Sequence, residues 1–134
     1  MRTEFFIGMI GLLILGCSPA QKVSKTSAKL TQNSQDSTEY EIMIIDPQFD
    51  QWYDINYSPA KDHSKEYYRG QNLVGVTNWN NYYNSASFRR IIDSSIDYRP
   101  DVDYGIDIDR KLYWYFRYIE SECKIRLFND FPIQ

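Results

Sequence analysis

Cysteine is nearly absent. The 134-residue chain has two, at positions 17 and 123. Two cysteines cannot build a disulfide framework, so stability has to come from a packed core. There is one histidine, His63, and with so few nitrogen and sulfur ligands no zinc site is expected. The six glycines are scattered, without the clustering of a phosphate-binding loop. No apolar run reaches 18 residues, so no membrane-spanning helix is expected in the mature protein. No segment repeats at a fixed period. Basic charge is in deficit: from Glu39 onward there are 11 basic and 16 acidic side chains. That balance argues against nucleic acid and against a polybasic membrane patch.

What is present is apolar and aromatic. A hydrophobic content of 43% with 16% aromatics is too high for a disordered chain. The N-terminus carries the strongest local signal. Phe5 to Leu15 is an apolar run of 11 residues, the length of a signal-peptide core rather than of a span. It ends in Ile14-Leu15-Gly16-Cys17. That ending resembles a bacterial lipobox, in which cleavage precedes the cysteine and the cysteine carries the lipid. The resemblance implies a signal peptide over 1–16 and lipid attachment at Cys17. Several acyl chains, at about 0.8 kcal/mol per buried methylene, hold a protein stably where one does not. By resemblance to bacterial lipoprotein sorting, Ser18 in place of aspartate, and no acid from Ser18 to Lys25, imply the periplasmic face of the outer membrane. With Cys17 consumed by lipid, Cys123 has no intrachain partner.

Residues 17–38 read as the lipidated cysteine and a disordered tether, because Ser18 to Thr38 is polar and lacks aromatics. A flexible chain of that length spans roughly 25 Å. Residues 39–134 read as one globular domain, which buries roughly 60–65% of its unfolded surface.

The expected fold class is α+β: a small, aromatic-rich single domain, mainly helical, with two or three short strands. Tyr40 to Ile45 is a branched, β-like run and reads as a central strand. Asp46-Pro47 suits a helix start, with Phe49, Trp52 and Tyr53 on one face and an end near Asn56. Ser64 opens a second, short helix closed by Gly70. Over Leu73 to Thr77 helix and strand compete, and a further helix through Asn84 is favoured, although Gly75 costs about 1 kcal/mol in a helix interior. Part of Phe88 to Tyr98 reads as a strand or extended segment, and Asp101 to Gly105 as a turn. The clearest helix runs from Asp107 to Leu127. Ile108, Leu112, Tyr115, Phe116, Ile119, Cys123 and Leu127 share one face. Trp114, Tyr118 and Ile125 form a second apolar stripe, and Tyr113, Arg117, Glu120 and Lys124 a polar strip between. Such a helix is central in its domain or touches a partner.

Several of these segments, taken in order, resemble a known family: Ile44 to Trp52, Val76-Thr77-Asn78-Trp79-Asn80, Ile96 to Gly105 and Lys111 to Phe116. The likeness is to an uncharacterised family of small Bacteroidota lipoproteins, a domain of unknown function. It implies an envelope address and no activity, so no functional residue carries over.

No catalytic motif is found. Asp93, Asp97, Asp101, Asp103, Asp107 and Asp109 put six carboxylates into 17 residues, which raises the question of Ca²⁺. An EF-hand loop begun at Asp101 fails, because Gly105, Ile106 and Leu112 stand where an acid, a glycine and a glutamate are needed. An irregular site stays open beside the simpler reading of turn-forming aspartates. His63 lies in a polar loop with no nucleophile elbow. Cys123, late in a helix, is disfavoured as a thiolate.

The leading reading is therefore a non-catalytic interaction module, anchored to the membrane by lipid. Trp114, Tyr118 and Ile125 are its candidate docking face toward an envelope protein complex. A glycan- or peptidoglycan-binding module is the alternative, and a small periplasmic hydrolase with paired carboxylates ranks below it. No cofactor, metal or nucleic acid is expected.

Overall fold

The computed structural model describes residues 26–32 and 40–130. The order is strand β1 (Ser27–Gln32), strand β2 (Tyr40–Ile45), helix α1 (Phe49–Asn56), a 3₁₀ turn at Pro59–Lys61, helix α2 (Lys65–Asn84) and helix α3 (Ile106–Cys123). The expected α+β class, mainly helical with short strands, is what forms.

β2 alternates. Tyr40, Ile42 and Ile44 turn inward, while Glu41, Met43 and Ile45 are exposed. It is not central, as expected, but one half of a two-stranded antiparallel sheet. Its partner β1 comes from the stretch read as tether, with Ser27 opposite Ile45 and Gln32 opposite Tyr40. Thr26 to Gln32, ahead of Glu39, therefore belong to the folded domain. Ala28 and Leu30, on the inward face of β1, are too few to announce a strand by themselves. Long-range bonds supply the rest: Thr26 N–H donates to the Ile91 carbonyl (2.9 Å), Asp93 N–H donates to that of Thr26 (3.1 Å), and the buried Thr26 hydroxyl pairs with Tyr115 Oη.

α1 starts two residues later than the proline suggests. Asp46 Oδ1 accepts from Gln48 N–H (3.0 Å), forming a side-chain turn ahead of the helix. Ser64 caps α2 as expected, its hydroxyl accepting from Tyr67 N–H (3.2 Å). The two helices expected between Ser64 and Asn84 are one, continuous through Gly70 and Gly75.

Tertiary contact explains Gly75. A β-carbon there would stand 2.5 Å from Phe116 Cδ2, 2.7 Å from its Cε2 and 3.1 Å from Phe128 Cε1. The missing side chain is what lets α3 approach α2. Gly75→Ala gains about 1 kcal/mol of helix propensity but overpacks the contact by about 1–3 kcal/mol. A net loss of up to about 2 kcal/mol in urea unfolding is expected. A stabilised variant would show that the Phe116 ring can move aside.

Residues 88–98 form turns and an irregular extended stretch rather than a strand. Ile92 makes only an isolated parallel bridge to Thr26. The stretch is held from α2: Asn80 Nδ2 donates to the Ile96 carbonyl (2.9 Å), Ile96 N–H returns a bond to Asn80 Oδ1 (2.8 Å), and Trp79 Nε1 donates to the Ser94 carbonyl (2.8 Å).

α3 is the centre of the domain. Every residue from Leu112 to Glu120 is buried. The helix ends at Cys123, four residues before the expected Leu127, because Lys124 takes a left-handed conformation (φ 56°). The chain then reverses, and Ile125, Leu127 and Phe128 pack back onto the core.

Candidate functional site

The proposed docking face is not a surface. Trp114, Tyr118 and Ile125 are 1%, 4% and 5% exposed. α1 and the loop after it cover the first two. Trp114 is enclosed by the rings of Trp52, Tyr53, Tyr57 and Tyr113, and Tyr118 lies against Phe49 and Trp52. Ile125 falls beyond the helix end and turns inward with the reversed chain. The second apolar stripe thus packs inside the domain.

Of the expected polar strip, Tyr113, Arg117 and Glu120 are also internal, while Lys124 is exposed. Arg117 Nη1 meets Glu120 Oε2 (3.0 Å), its Nη2 meets Asp130 Oδ2 (2.5 Å), and its Nε donates to Tyr113 Oη (3.0 Å). The guanidinium lies 4.5 Å from the Phe128 ring centroid. Glu120 Oε1 accepts from both Leu127 and Phe128 N–H (2.8 Å each). This knot ties the C-terminal reversal to α3. The i, i+3 spacing of Arg117 and Glu120 was its one sequence trace.

The larger described cleft, about 480 Å³, lies at the start of α3, lined by Tyr40, Lys65, Asp103 and residues 104–108. Three segments build it. α2 supplies Lys65, whose Nζ pairs with Asp103 Oδ2 (2.5 Å). The turn before α3 supplies Asp103, whose Oδ1 accepts from Gly105 N–H (3.0 Å). Gly105 holds φ 90°, which side-chain-bearing residues rarely adopt. β2 supplies Tyr40, edge-on to Tyr104 at 4.8 Å, and Tyr104 in turn stacks on Tyr98 at 4.9 Å. Arg69 holds the loop from below, donating to the Pro100 and Val102 carbonyls (2.5 and 2.8 Å). The hydrogen bond from Lys65 depresses the Asp103 carboxyl, so that acid is an anion rather than a proton donor.

One carboxyl behaves oppositely. Asp109 is fully buried, and burial raises it; Tyr98 Oη donates to its Oδ1 (2.8 Å), while Oδ2 has no partner. It is not among the cleft's lining residues. Its backbone carbonyl accepts from Asn72 Nδ2 (2.8 Å), which ties α2 to α3.

The acidic 93–109 segment assembles no calcium cage. Asp101 pairs with Arg99, Asp103 with Lys65 and Asp107 with Arg110, each with a different cation. Among the described residues no group of three or more metal-ligating side chains converges. His63 is exposed and stacks on Tyr67 at 4.1 Å. The neighbouring Asp62 carboxylate serves Arg110 (2.9 and 3.0 Å) and Tyr68 Oη (2.6 Å), which hold it down to about 2. Cys123 is a free, half-buried thiol pushed up by burial, not an activated nucleophile.

A smaller recess of about 250 Å³ lies between Gln48, Gln51, Trp52, Ile55, Tyr118 and Glu122. Among the described residues no helix is long and apolar enough to cross a membrane. The expected signal peptide over 1–16 and the lipid site Cys17 lie outside the described residues.

A family model, described as a family of unknown function (DUF6146), matches residues 5–131. No curated protein and no solved structure matches the chain.

Proposed function

The chain belongs to this family of unknown function, and from its own residues we propose that it is a lipid-anchored bacterial envelope protein. Its domain would be a non-catalytic interaction module at the periplasmic face of the outer membrane, in an organism of the Bacteroidota. One observation carries the anchoring. Cys17 follows the apolar run Phe5 to Leu15 after the single small residue Gly16 and stands nine positions before Thr26, the first described residue. The family match begins at residue 5 and so takes in both the run and the cysteine. The binding role is supported by the occupation of the reactive groups: Asp62 is tied to Arg110, Asp103 to Lys65, and Asp109 is enclosed.

In the native host, Cys17→Ala is expected to abolish acyl labelling of the mature protein and to move it out of the membrane fraction. Wild-type protein without an acyl mass on Cys17 would refute the anchoring. A mild-detergent pull-down of the lipidated protein, with Cys17→Ala as control, then seeks the envelope partner. A stoichiometric partner reduced in the control is the expected result. No partner under crosslinking would count against the docking role.

A second reading is favoured by the cleft itself. Its volume is in the range of small-ligand sites, and it combines tyrosine rings with charged groups at the rim, a combination suited to a sugar ring. Purified peptidoglycan fragments are the test ligand. Tyr40→Ala combined with Lys65→Ala is expected to weaken their binding at least about tenfold, the loss of one stacking contact and one charged hydrogen bond. Wild-type protein that binds no fragment at millimolar concentration would eliminate this reading.

A further inference from the structure

We propose that the outward face of the β1–β2 sheet, at its Ser27–Ile45 end, rests against the lipid surface that carries the anchor. The proposal builds on the lipid anchoring of Cys17.

Directly opposed residues of an antiparallel pair share a face. The register therefore puts Ser27, Lys29 and Thr31 of β1 beside Ile45, Met43 and Glu41 of β2 on the outward face. An outward strand face is ordinarily polar. Here Met43 is 56% and Ile45 61% exposed. The single acid of this face, Glu41, sits at the far end beside Thr31. The apolar pair sits at the end where the chain enters from Cys17.

Chain length makes this end the one nearest the bilayer. Only Ser18 to Lys25, eight residues, separate Cys17 from Thr26. Even fully extended, those nine steps reach at most ~30 Å, about the width of a domain of this size. A tether of 21 residues could reach about 70 Å and let the domain turn freely; eight keep its entry point within about 30 Å of the anchor. The charges agree. Lys22 and Lys25 lie in the tether without an acid, and exposed Lys29 lies opposite Met43. Lysines beside buried aliphatics suit an interface of anionic headgroups over acyl chains. The excess of acids elsewhere in the domain favours the water-facing side.

The test uses nitroxide labels at Met43→Cys, Ile45→Cys and, as a distant reference, the exposed α2 residue Thr77→Cys, all with Cys123→Ser. Each protein is examined in natively lipidated form, with the mass of acylated Cys17 verified, in vesicles of phosphatidylethanolamine and phosphatidylglycerol. A parallel form with a hexahistidine tag in place of residues 1–17 is held on vesicles containing a nickel-chelating lipid. Labels at 43 and 45 are expected to show an oxygen-to-chromium-oxalate accessibility ratio at least about threefold above that at 77, the mark of shallow immersion. Equal ratios at 45 and 77 in both forms would overturn the proposal. So would protection at 45 that rises with protein concentration without vesicles, which would make the face a contact between two copies. Immersion of the tagged form, with no acyl mass on native Cys17, would refute the anchoring and still support the lipid contact.

Discussion

Trp114→Ala is expected to destabilise the domain by about 3–5 kcal/mol, the usual cost of deleting a fully enclosed large aromatic. The ring is 1% exposed and sits among Trp52, Tyr53, Tyr57 and Tyr113 at centroid separations of 5.6–6.2 Å. Deleting it removes the burial of a large apolar surface and several edge-to-face contacts, each of the latter worth about 0.5–1.5 kcal/mol. Collapse around the void is limited, because the surrounding rings come from α1, the loop after it and α3, whose backbones are fixed elsewhere. A domain of this size has about 5–15 kcal/mol of total stability, so the loss is a large fraction of it. Urea unfolding followed by far-ultraviolet circular dichroism measures the effect, as a fall in midpoint of roughly 2 M at ordinary slopes. The outcome also decides between two roles for the residue. A docking tryptophan could be removed at little cost to stability, so a loss below about 1 kcal/mol would return Trp114 to the surface.

The second large effect is at Glu120. Glu120→Ala is expected to cost about 3–5 kcal/mol, as when one partner of a buried ion pair is removed. Two separate losses combine. Arg117, its side chain 3% exposed, keeps only Asp130 to balance its charge, and Asp130 is itself half exposed. The Leu127 and Phe128 N–H groups lose their shared acceptor, at about 1–3 kcal/mol for each buried donor left without one. The two do not add fully, because Leu127 and Phe128 can loosen together. Glu120→Gln separates them. A glutamine carbonyl can still receive both N–H bonds, so its expected cost is smaller, about 1–2 kcal/mol. Amide exchange at Leu127 and Phe128 should rise strongly in the alanine variant and little in the glutamine variant. Equal exchange in both would show that these amides are protected by packing rather than by the Glu120 side chain.

Local signals were legible where their cause was local. Ser64 marks the start of α2 because its hydroxyl serves a backbone N–H three residues on. Apolar periodicity located α3 because both its faces are filled. The turn at Asp101 to Gly105 was readable from its aspartates and glycine. The cleft above that turn was not, since Tyr40 and Lys65 join it from segments with no spacing in common. Gly75 misled, because its penalty is local while its benefit, room for Phe116, comes from another helix.

By itself, the sequence determined that one aromatic-rich, mainly helical domain follows a short apolar N-terminal run, and that two cysteines build no disulfide framework for it. Composition and short-range periodicity suffice for that, since they depend on neighbours a few residues apart. Only the tertiary structure decided which faces are surfaces. α1 and its loop cover Trp114 and Tyr118, the reversed C-terminal segment covers Arg117 and Glu120, and Ser27 to Gln32 becomes a strand because β2 offers it a free edge. Burial is a relation between distant segments, and the segment that will do the burying leaves no mark on the residues it buries.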